Sequence, residues 1–175
     1  KQLYEEGKVV ADFATRKNTI ITELNKKAAE LGLIINDINS LIDEVTALVE
    51  YPVILQGEFD KNFLKVPQEC LILSMAKNQK YFAMLDQNKK LSNKFLFVAN
   101  IDSTNPKVIV QGNQKVLAAR LSDAKFFYEV DLKHDLDYFV NKLKPMVYHN
   151  KLGSQFERIT RMEKIASSFA SLLGI

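Results

Sequence analysis

Apolar residues recur at spacings of three and four over the first fifty positions, with lysine and glutamate between them. This period matches an α-helix and predicts an amphipathic helix that ends near Gly32, where glycine allows a left-handed turn. A second helix is expected from Asn36 or Asp37, its candidate caps, up to Pro52. The residues expected to be buried are Val10, Phe13, Ala14, Ile20, Ile21, Leu24, Ala28 and Leu31 in the first helix and Ile38, Leu41, Ile42, Val45 and Leu48 in the second.

The pattern changes to short, nearly continuous apolar runs in the middle of the chain. Runs rich in β-branched and aromatic residues predict strands. The predicted strands are 53–59, 81–85 and 95–99. The polar segment 86–90 joins the last two strands and predicts a β-hairpin. Pro67 is expected to open a short helix that contains Leu71, Ile72 and Met75.

Helical spacing returns at Pro106, which can open a long helix. Its apolar stripe is expected to contain Val116, Leu117, Leu121, Ala124 and Phe127. Another helix is expected from His134 or Asp135 to Pro145, and a last helix from Gly153-Ser154. The helix before Pro145 is expected to bury Leu136, Phe139, Val140 and Leu143. The buried side of the last helix is expected to contain Phe156, Ile159, Met162, Ile165, Ala166 and Phe169.

The order of these elements predicts an α+β fold that forms one domain. A helical N-terminal arm (1–50) precedes a small, mainly antiparallel sheet region with a β-hairpin (51–105). Long C-terminal helices occupy residues 106–175. The chain starts without methionine, and its helical pattern continues almost to the last residue, so we expect an internal piece of a longer polypeptide.

Composition narrows the class of protein without naming a function. The chain has 175 residues, of which 47% are hydrophobic and 26% are charged, enough to form a core without disulfides or metals. Its one cysteine, Cys70, cannot pair within the chain and favours a reducing, intracellular setting. No apolar run approaches the length of a membrane span. The net charge of +3 tolerates a polyanionic partner but does not require one.

Signals for catalysis and metal binding are weak. Cys70, His134 and His149 show no spacing typical of metal ligands, so no metal site is expected. No glycine-rich loop that could hold the phosphates of ATP is present. Cys70 is expected to be a buried, unreactive residue of the short helix, and both histidines are expected near the surface. No catalytic residue is therefore assigned.

Basic residues provide the main functional signal. Lys77 and Lys80 precede the aromatic pair Tyr81-Phe82, and Lys115 and Arg120 lie on the long helix. Basic side chains neutralise phosphates and exposed rings stack on bases, so these four cations are candidate contacts for a nucleic acid. Further basic residues follow toward the end of the chain: Lys142, Lys144, Lys151, Arg158, Arg161 and Lys164.

A purely structural interpretation competes with this one. Tyr81 and Phe82 can be ordinary strand residues, with the lysines forming a solvated rim. Arg120 can form an ion pair with Asp123, three positions later on the same helix face.

One segment of the long helix resembles a known family. Residues 112–127 contain the pattern Gly-Asn-x-x-Val-Leu-x-x-Arg-Leu-x-Asp-Ala-x-Phe-Phe, which is similar to the β subunit of the bacterial, heterotetrameric glycyl-tRNA synthetase. Its structural motif residues are Gly112, Asn113, Arg120, Asp123, Phe126 and Phe127. Further similar segments are 7–12, 44–55, 59–67, 78–82, 95–101 and 152–154. Two departures are Tyr51, where the family often has Trp, and Asn78, where it often has His.

The resemblance implies a role within a larger enzyme. It implies a cytoplasmic class II ligase of two α and two β subunits that joins glycine to its tRNA. ATP and Mg²⁺ are expected in the α subunit and no cofactor in this segment. The implied partners are the α subunit, tRNA(Gly) and the rest of the β subunit, with no membrane. The segment resembles the core domain of the β chain of phenylalanyl-tRNA synthetase.

These implications favour a non-catalytic, structural and tRNA-facing domain. Its candidate tRNA contacts are Lys77, Lys80, Lys115 and Arg120. One alternative is an editing-like hydrolase of mischarged tRNA, whose pocket would contain Asn78, Asn100, Asn113 and Arg120. A second alternative is a pure assembly module, which would present wide apolar faces on its first and last helices.

Overall fold

The computed structural model describes residues 2–175, with side chains from Tyr4 onward, and has the expected α+β class. The helices are α1 (Gln2–Glu5), α2 (Phe13–Glu30), α3 (Asn39–Leu48), α4 (Gln68–Gln79), α5 (Pro106–Asp131), α6 (Leu136–Lys142) and α7 (Gln155–Leu173). The strands are β1 (Ile34–Ile35), β2 (Val53–Glu58), β3 (Phe82–Leu85), β4 (Leu91–Ala99), β5 (Val147–His149) and β6 (Gly153–Ser154). A 3-10 helix, Lys61–Lys65, precedes α4.

The chain forms two compact units, Lys1–Phe126 and Phe127–Ile175. The first unit contains a four-stranded sheet together with α1 to α4 and most of α5. The second contains α6, the β5–β6 pair and α7. The predicted grouping of 1–50, 51–105 and 106–175 into one domain stays a prediction.

The four-stranded sheet is antiparallel throughout, in the order β1-β3-β4-β2. The predicted hairpin is confirmed as β3–β4, and its turn is held by Asp86, whose Oδ1 accepts from the backbone N–H groups of Asn88 and Lys90 at 2.8 and 2.9 Å. β2 pairs with β4 along its whole length, from Val53↔Ala99 to Glu58↔Lys94. Short β1, which the sequence pattern does not predict, pairs with β3.

The main core lies where α2 and α3 pack beside the sheet. Its buried residues are Ile20, Leu24, Ala28, Leu41, Ile42, Val45, Val49, Ile54, Phe82, Met84 and Leu96. Three residues expected in this core are exposed instead: Phe13, Ala14 and Leu48. The buried residues of α3 are Leu41, Ile42, Val45 and Thr46, whereas Leu48, the last residue of the helix, is 62% exposed. Thr46 tolerates full burial because its hydroxyl donates to the Ile42 carbonyl oxygen at 2.6 Å.

Helix α5 buries a narrower stripe than predicted. Leu117 and Leu121 are fully buried and Ala124 is half-buried, whereas Val116 and Phe127 are 47% and 63% exposed. The buried positions follow an interval of four residues, and Val116 lies about 100° from Leu117 around the helix. Expecting Val116 and Phe127 in the buried stripe was therefore wrong.

The last helix begins at Gly153-Ser154 as predicted, and its start forms a capping box. The Ser154 hydroxyl accepts from the Glu157 backbone N–H, and the Glu157 carboxylate accepts from the Ser154 N–H at 2.7 Å. The expected buried side of α7 is wrong at four of its six residues: Phe156 and Ile159 are half-buried, but Met162, Ile165, Ala166 and Phe169 are exposed. The expected burial of Leu136 in α6 is also wrong, because this residue is 83% exposed.

Candidate nucleic-acid interface

Two of the four candidate cations, Lys77 and Lys80, lie at the C-terminal end of α4. Lys77 is exposed in the last turn of the helix. Lys80 follows the helix in a left-handed conformation, with φ of 57°, which is uncommon for a residue with a Cβ atom. Its ammonium group lies 2.9 Å from the Glu44 carboxylate of α3. One candidate phosphate contact is therefore already paired with a carboxylate.

Both lysines line a groove of about 810 Å³ that α3, α4 and β3 enclose. Its apolar surface includes Leu41, Ile72, Ala76 and Leu85. Its charged residues are Lys77, Lys80, Asp37, Glu44 and Glu69. Three carboxylates against two ammonium groups leave the groove with a net charge of −1, so its interior does not favour a polyanion.

The other two candidates, Lys115 and Arg120, are exposed on α5 and do not line this groove. They are five residues apart, so their side chains leave the helix about 140° apart. The four cations therefore do not form one cluster around the groove. The suggested ion pair between Arg120 and Asp123 is wrong, because none joins them within the described residues and both side chains are exposed. Water competes effectively with such a surface pair.

Within the structural motif, Asn113 forms two hydrogen bonds. Asn113 accepts a hydrogen bond at Oδ1 from the Tyr81 hydroxyl at 2.5 Å, and its Nδ2 donates to the Ile109 carbonyl oxygen at 2.8 Å. Gly112 is exposed within α5, and apart from its neighbours and the backbone of this helix, no heavy atom of the described residues would lie within 4 Å of a Cβ at this position. Phe126 and Phe127 are 60% and 63% exposed.

Tyr81 and Phe82 are core residues and not a stacking platform. Tyr81 is 5% exposed and Phe82 is fully buried. The Tyr81 ring stacks on Phe95 with a centroid distance of 4.9 Å, and burial raises the pKa of its phenol to about 12. The structural interpretation of this aromatic pair is thus the correct one, and the Tyr81–Asn113 hydrogen bond connects α5 with the sheet.

The pocket that would favour ester hydrolysis is not assembled from the four residues suggested for it. Asn100 Oδ1 accepts from the backbone N–H groups of Glu50 and Tyr51 at 2.8 and 2.9 Å. Asn113 Oδ1 is engaged by Tyr81. Asn78 and Arg120 are exposed on α4 and α5. The side chains of Asn100 and Asn113 therefore already have structural partners. The groove beside Tyr81 is lined by Asn113 but not by the other three suggested residues.

Cysteine and histidine occupy positions that differ in how well the sequence predicts them. Cys70 is exposed, so the expectation of a buried thiol was wrong, because α4 buries Leu71 and Met75 on a face about 120° away. His134 and His149 are exposed, as expected.

Within residues 2–175 no three His, Cys, Asp or Glu side chains gather as potential metal ligands. Among the helices described, none combines the length and apolar character needed to cross a membrane.

Comparison with known proteins gives a consistent result along the chain. The family profile described as "Glycyl-tRNA synthetase beta subunit" matches residues 1–174. A Neisseria meningitidis serogroup A protein named "Glycine--tRNA ligase beta subunit" is 54% identical over 174 residues, which are 99% of this chain and 25% of that relative. Proteins with the same name from Aromatoleum aromaticum and Thiobacillus denitrificans are 52% and 51% identical over 98% and 99% of the chain, again 25% of each relative.

The chain spans about a quarter of the length of the curated relatives it matches. Those relatives are named as subunits of a ligase, and the similarity leaves almost no part of this chain unmatched. The chain therefore belongs to the glycyl-tRNA synthetase beta subunit family and corresponds to a portion of that subunit.

Proposed function

We propose that this chain is a non-catalytic, tRNA-facing and structural domain of the β subunit of a glycine–tRNA ligase. The observation that carries the proposal is the family match over residues 1–174. In this account the complete enzyme is a cytoplasmic heterotetramer of two α and two β subunits, and it attaches glycine to its tRNA. ATP and Mg²⁺ bind in the α subunit.

The physical contribution of such a domain is positioning. Holding a large substrate in the productive orientation lowers the entropic part of the barrier for a reaction that occurs on another subunit. A rigid domain suits this role. The Tyr81–Asn113 hydrogen bond contributes to rigidity because it connects α5 with the sheet. The exposed cations Lys77, Lys115 and Arg120 remain candidate phosphate contacts, whereas Lys80 would have to exchange Glu44 for phosphate.

The test uses the complete enzyme and tRNA(Gly). Neutralising Lys77, Lys115 and Arg120 together, each to Gln, is expected to weaken tRNA binding and to flatten its dependence on salt by roughly 0.7 to 0.9 per lost phosphate contact. The matched control neutralises three exposed lysines elsewhere in the first unit: Lys26, Lys61 and Lys65, each to Gln.

Cross-linking of tRNA to the wild-type complex supplies the decisive readout. The proposal predicts that residues of this chain cross-link to tRNA(Gly) in the complete enzyme. A complex that charges tRNA normally but yields no cross-link anywhere in the chain would contradict it.

One observation favours assembly as a second function. The side of α7 that contains Met162, Ile165 and Phe169 is apolar, and these residues are 55%, 57% and 59% exposed. Apolar surface of this kind is typical of a contact with another protein segment. The triple change to Ser is expected to impair assembly of the complete enzyme, while tRNA affinity per assembled complex stays unchanged. Normal assembly of this variant would rule out the second function.

A further inference from the structure

The second unit contains a basic surface that surrounds the β5–β6 hairpin. Between residues 138 and 164 the chain has six Lys or Arg against two Asp or Glu, a net charge of +4. The whole chain carries +3, so the remaining residues are slightly acidic together. Positive charge is therefore concentrated around β5, β6 and the first half of α7.

Two arginines of this region are held in place by hairpin groups. The Arg158 guanidinium lies over the Tyr148 ring, with 4.5 Å between its Cζ atom and the ring centroid. Arg161 donates from Nη2 to the Leu152 carbonyl oxygen at 3.0 Å, at the turn that also contains Lys151. We define the hairpin surface as Tyr148, Lys151, Arg158 and Arg161.

The charges of the hairpin surface are open to a ligand. Lys151, Arg158 and Arg161 are exposed, and none of them forms an ion pair within the described part of the chain. The nearby acid is Glu157, whose carboxylate accepts hydrogen bonds from Ser154 in the capping box and whose pKa is lowered chiefly by them. Arg161 adds a smaller electrostatic contribution in the same direction. The other acid of the region, Glu163, is exposed farther along α7.

The exposed ring of Tyr148 distinguishes the hairpin surface from a patch that contains only basic residues. Tyr148 is 42% exposed although Arg158 covers part of its ring. An exposed ring next to arginines is the combination that binds unpaired nucleotides, because the ring stacks on a base while guanidinium groups bind phosphate in a bidentate manner. Duplex RNA offers no free base face for such a ring.

We infer that the hairpin surface binds an unpaired segment of tRNA, with Tyr148 stacking on a base and with Lys151, Arg158 and Arg161 contacting flanking phosphates. The inference rests on the proposed function and places the principal tRNA contact on the second unit. The groove lined by Lys77 and Lys80 is less suitable, because its net charge is negative.

The experiment measures tRNA(Gly) binding by the complete enzyme at several salt concentrations. The double change Arg158→Gln and Arg161→Gln is expected to weaken binding about a hundredfold, because each charged hydrogen bond to phosphate contributes about tenfold. It is also expected to lower the salt slope by about 1.4. The control changes Lys26 and Lys61, both exposed in the first unit, to Gln. Equal effects from the two pairs would overturn the inference.

A second set of variants separates contact from structural support. Arg158→Lys with Arg161→Lys keeps both charges and is expected to retain the salt slope of the wild type. Tyr148→Ala is expected to weaken binding about fivefold to a hundredfold, whereas Tyr148→Phe keeps the ring and the affinity. If the Lys pair loses as much affinity and slope as the Gln pair, or if Tyr148→Ala binds normally, the inference is wrong.

Cross-linking distinguishes failure of this inference from failure of the proposed function. Cross-links from the hairpin surface support both. Cross-links from other parts of the chain alone keep the proposed function and overturn the inference. An absence of cross-links from the entire chain overturns both. The variant with Arg158→Gln and Arg161→Gln could also impair assembly of the enzyme while the assembled fraction binds tRNA with unchanged affinity. That result would identify a contact with another protein segment and would overturn the inference.

Discussion

Replacing Tyr81 by Phe tests the connection between α5 and the sheet. The change removes one hydroxyl and leaves the ring, so the stacking on Phe95 is retained. It breaks the 2.5 Å hydrogen bond to Asn113 and leaves Asn113 Oδ1 without this donor in a half-buried position. Losing such a bond costs about 1–2 kcal/mol in the free energy of unfolding. The wild type is therefore expected to be more stable by that amount at pH 8.

The same phenol makes this difference depend on pH. Burial raises the pKa of Tyr81 from 10.0 to about 12, so the folded state retains a proton that the unfolded state loses between these values. The stabilisation from the neutral phenol is complete below pH 10 and is lost as the pH rises through 12. A shift of about two pKa units corresponds to about 2.7 kcal/mol. The stability order of wild type and Tyr81→Phe should consequently reverse between about pH 11 and 12.

Urea unfolding followed by circular dichroism at pH 8, 10, 11 and 12 measures this difference. Tyr4→Phe is the matched control, because Tyr4 is 56% exposed and its hydroxyl has no buried partner to lose. The control variant should track the wild type at every pH. A stability difference for Tyr81→Phe that is absent at pH 8, or that stays constant up to pH 12, would refute the reasoning.

Three further changes test local features. Gly57→Ala should lower the free energy of unfolding by about 1–3 kcal/mol in thermal or urea unfolding, because a Cβ would overlap the Phe95 ring. Gly153→Ala should lower the free energy of unfolding by about 1–3 kcal/mol, because φ is +84° and a Cβ would overlap the Glu157 carboxylate of the capping box. Unchanged stability of either Ala variant would contradict the geometry. Lys80→Gly should leave stability unchanged or raise it by up to about 1 kcal/mol, because it relieves the left-handed backbone while losing only a surface ion pair. If Lys80 contacts tRNA, the same variant binds tRNA more weakly, and normal binding would remove Lys80 from the interface.

Local chemical signals explain why most elements could be predicted from the sequence. Pro67 caps α4 and Pro106 begins α5, where the fixed φ of proline suits a helix start. Ser154 and Glu157, three residues apart, form the capping box of α7. The polar segment 86–90 forms the hairpin turn. Each of these features depends on residues close together in the sequence.

Features that depend on distant partners could not be predicted in this way. The two-residue strand β1 is too short to show an alternating pattern, and it exists because β3 offers its free edge to Ile34 and Ile35. The pairing of Lys80 with Glu44 joins two helices that are far apart in the sequence. The hydrogen bond between Tyr81 and Asn113 likewise joins β3 to α5 and buries a ring that composition alone could assign to base stacking.

Burial is predicted less well than helical structure. An amphipathic pattern identifies the apolar side of α7, but it does not say whether another segment covers Met162, Ile165 and Phe169. Cys70 shows a related difficulty, because a shift of one residue along a helix turns a side chain by about 100°. The candidate site is affected most, since the availability of a cation for phosphate depends on its neighbours in space.

Cross-linking of tRNA(Gly) to the complete enzyme, with mass-spectrometric mapping of the cross-linked peptides, tests the central claim most directly. The account predicts cross-links within this chain, concentrated at the peptide that contains Tyr148 and Lys151 and at the start of α7. An enzyme that aminoacylates normally and cross-links to its tRNA only outside these 175 residues would contradict it.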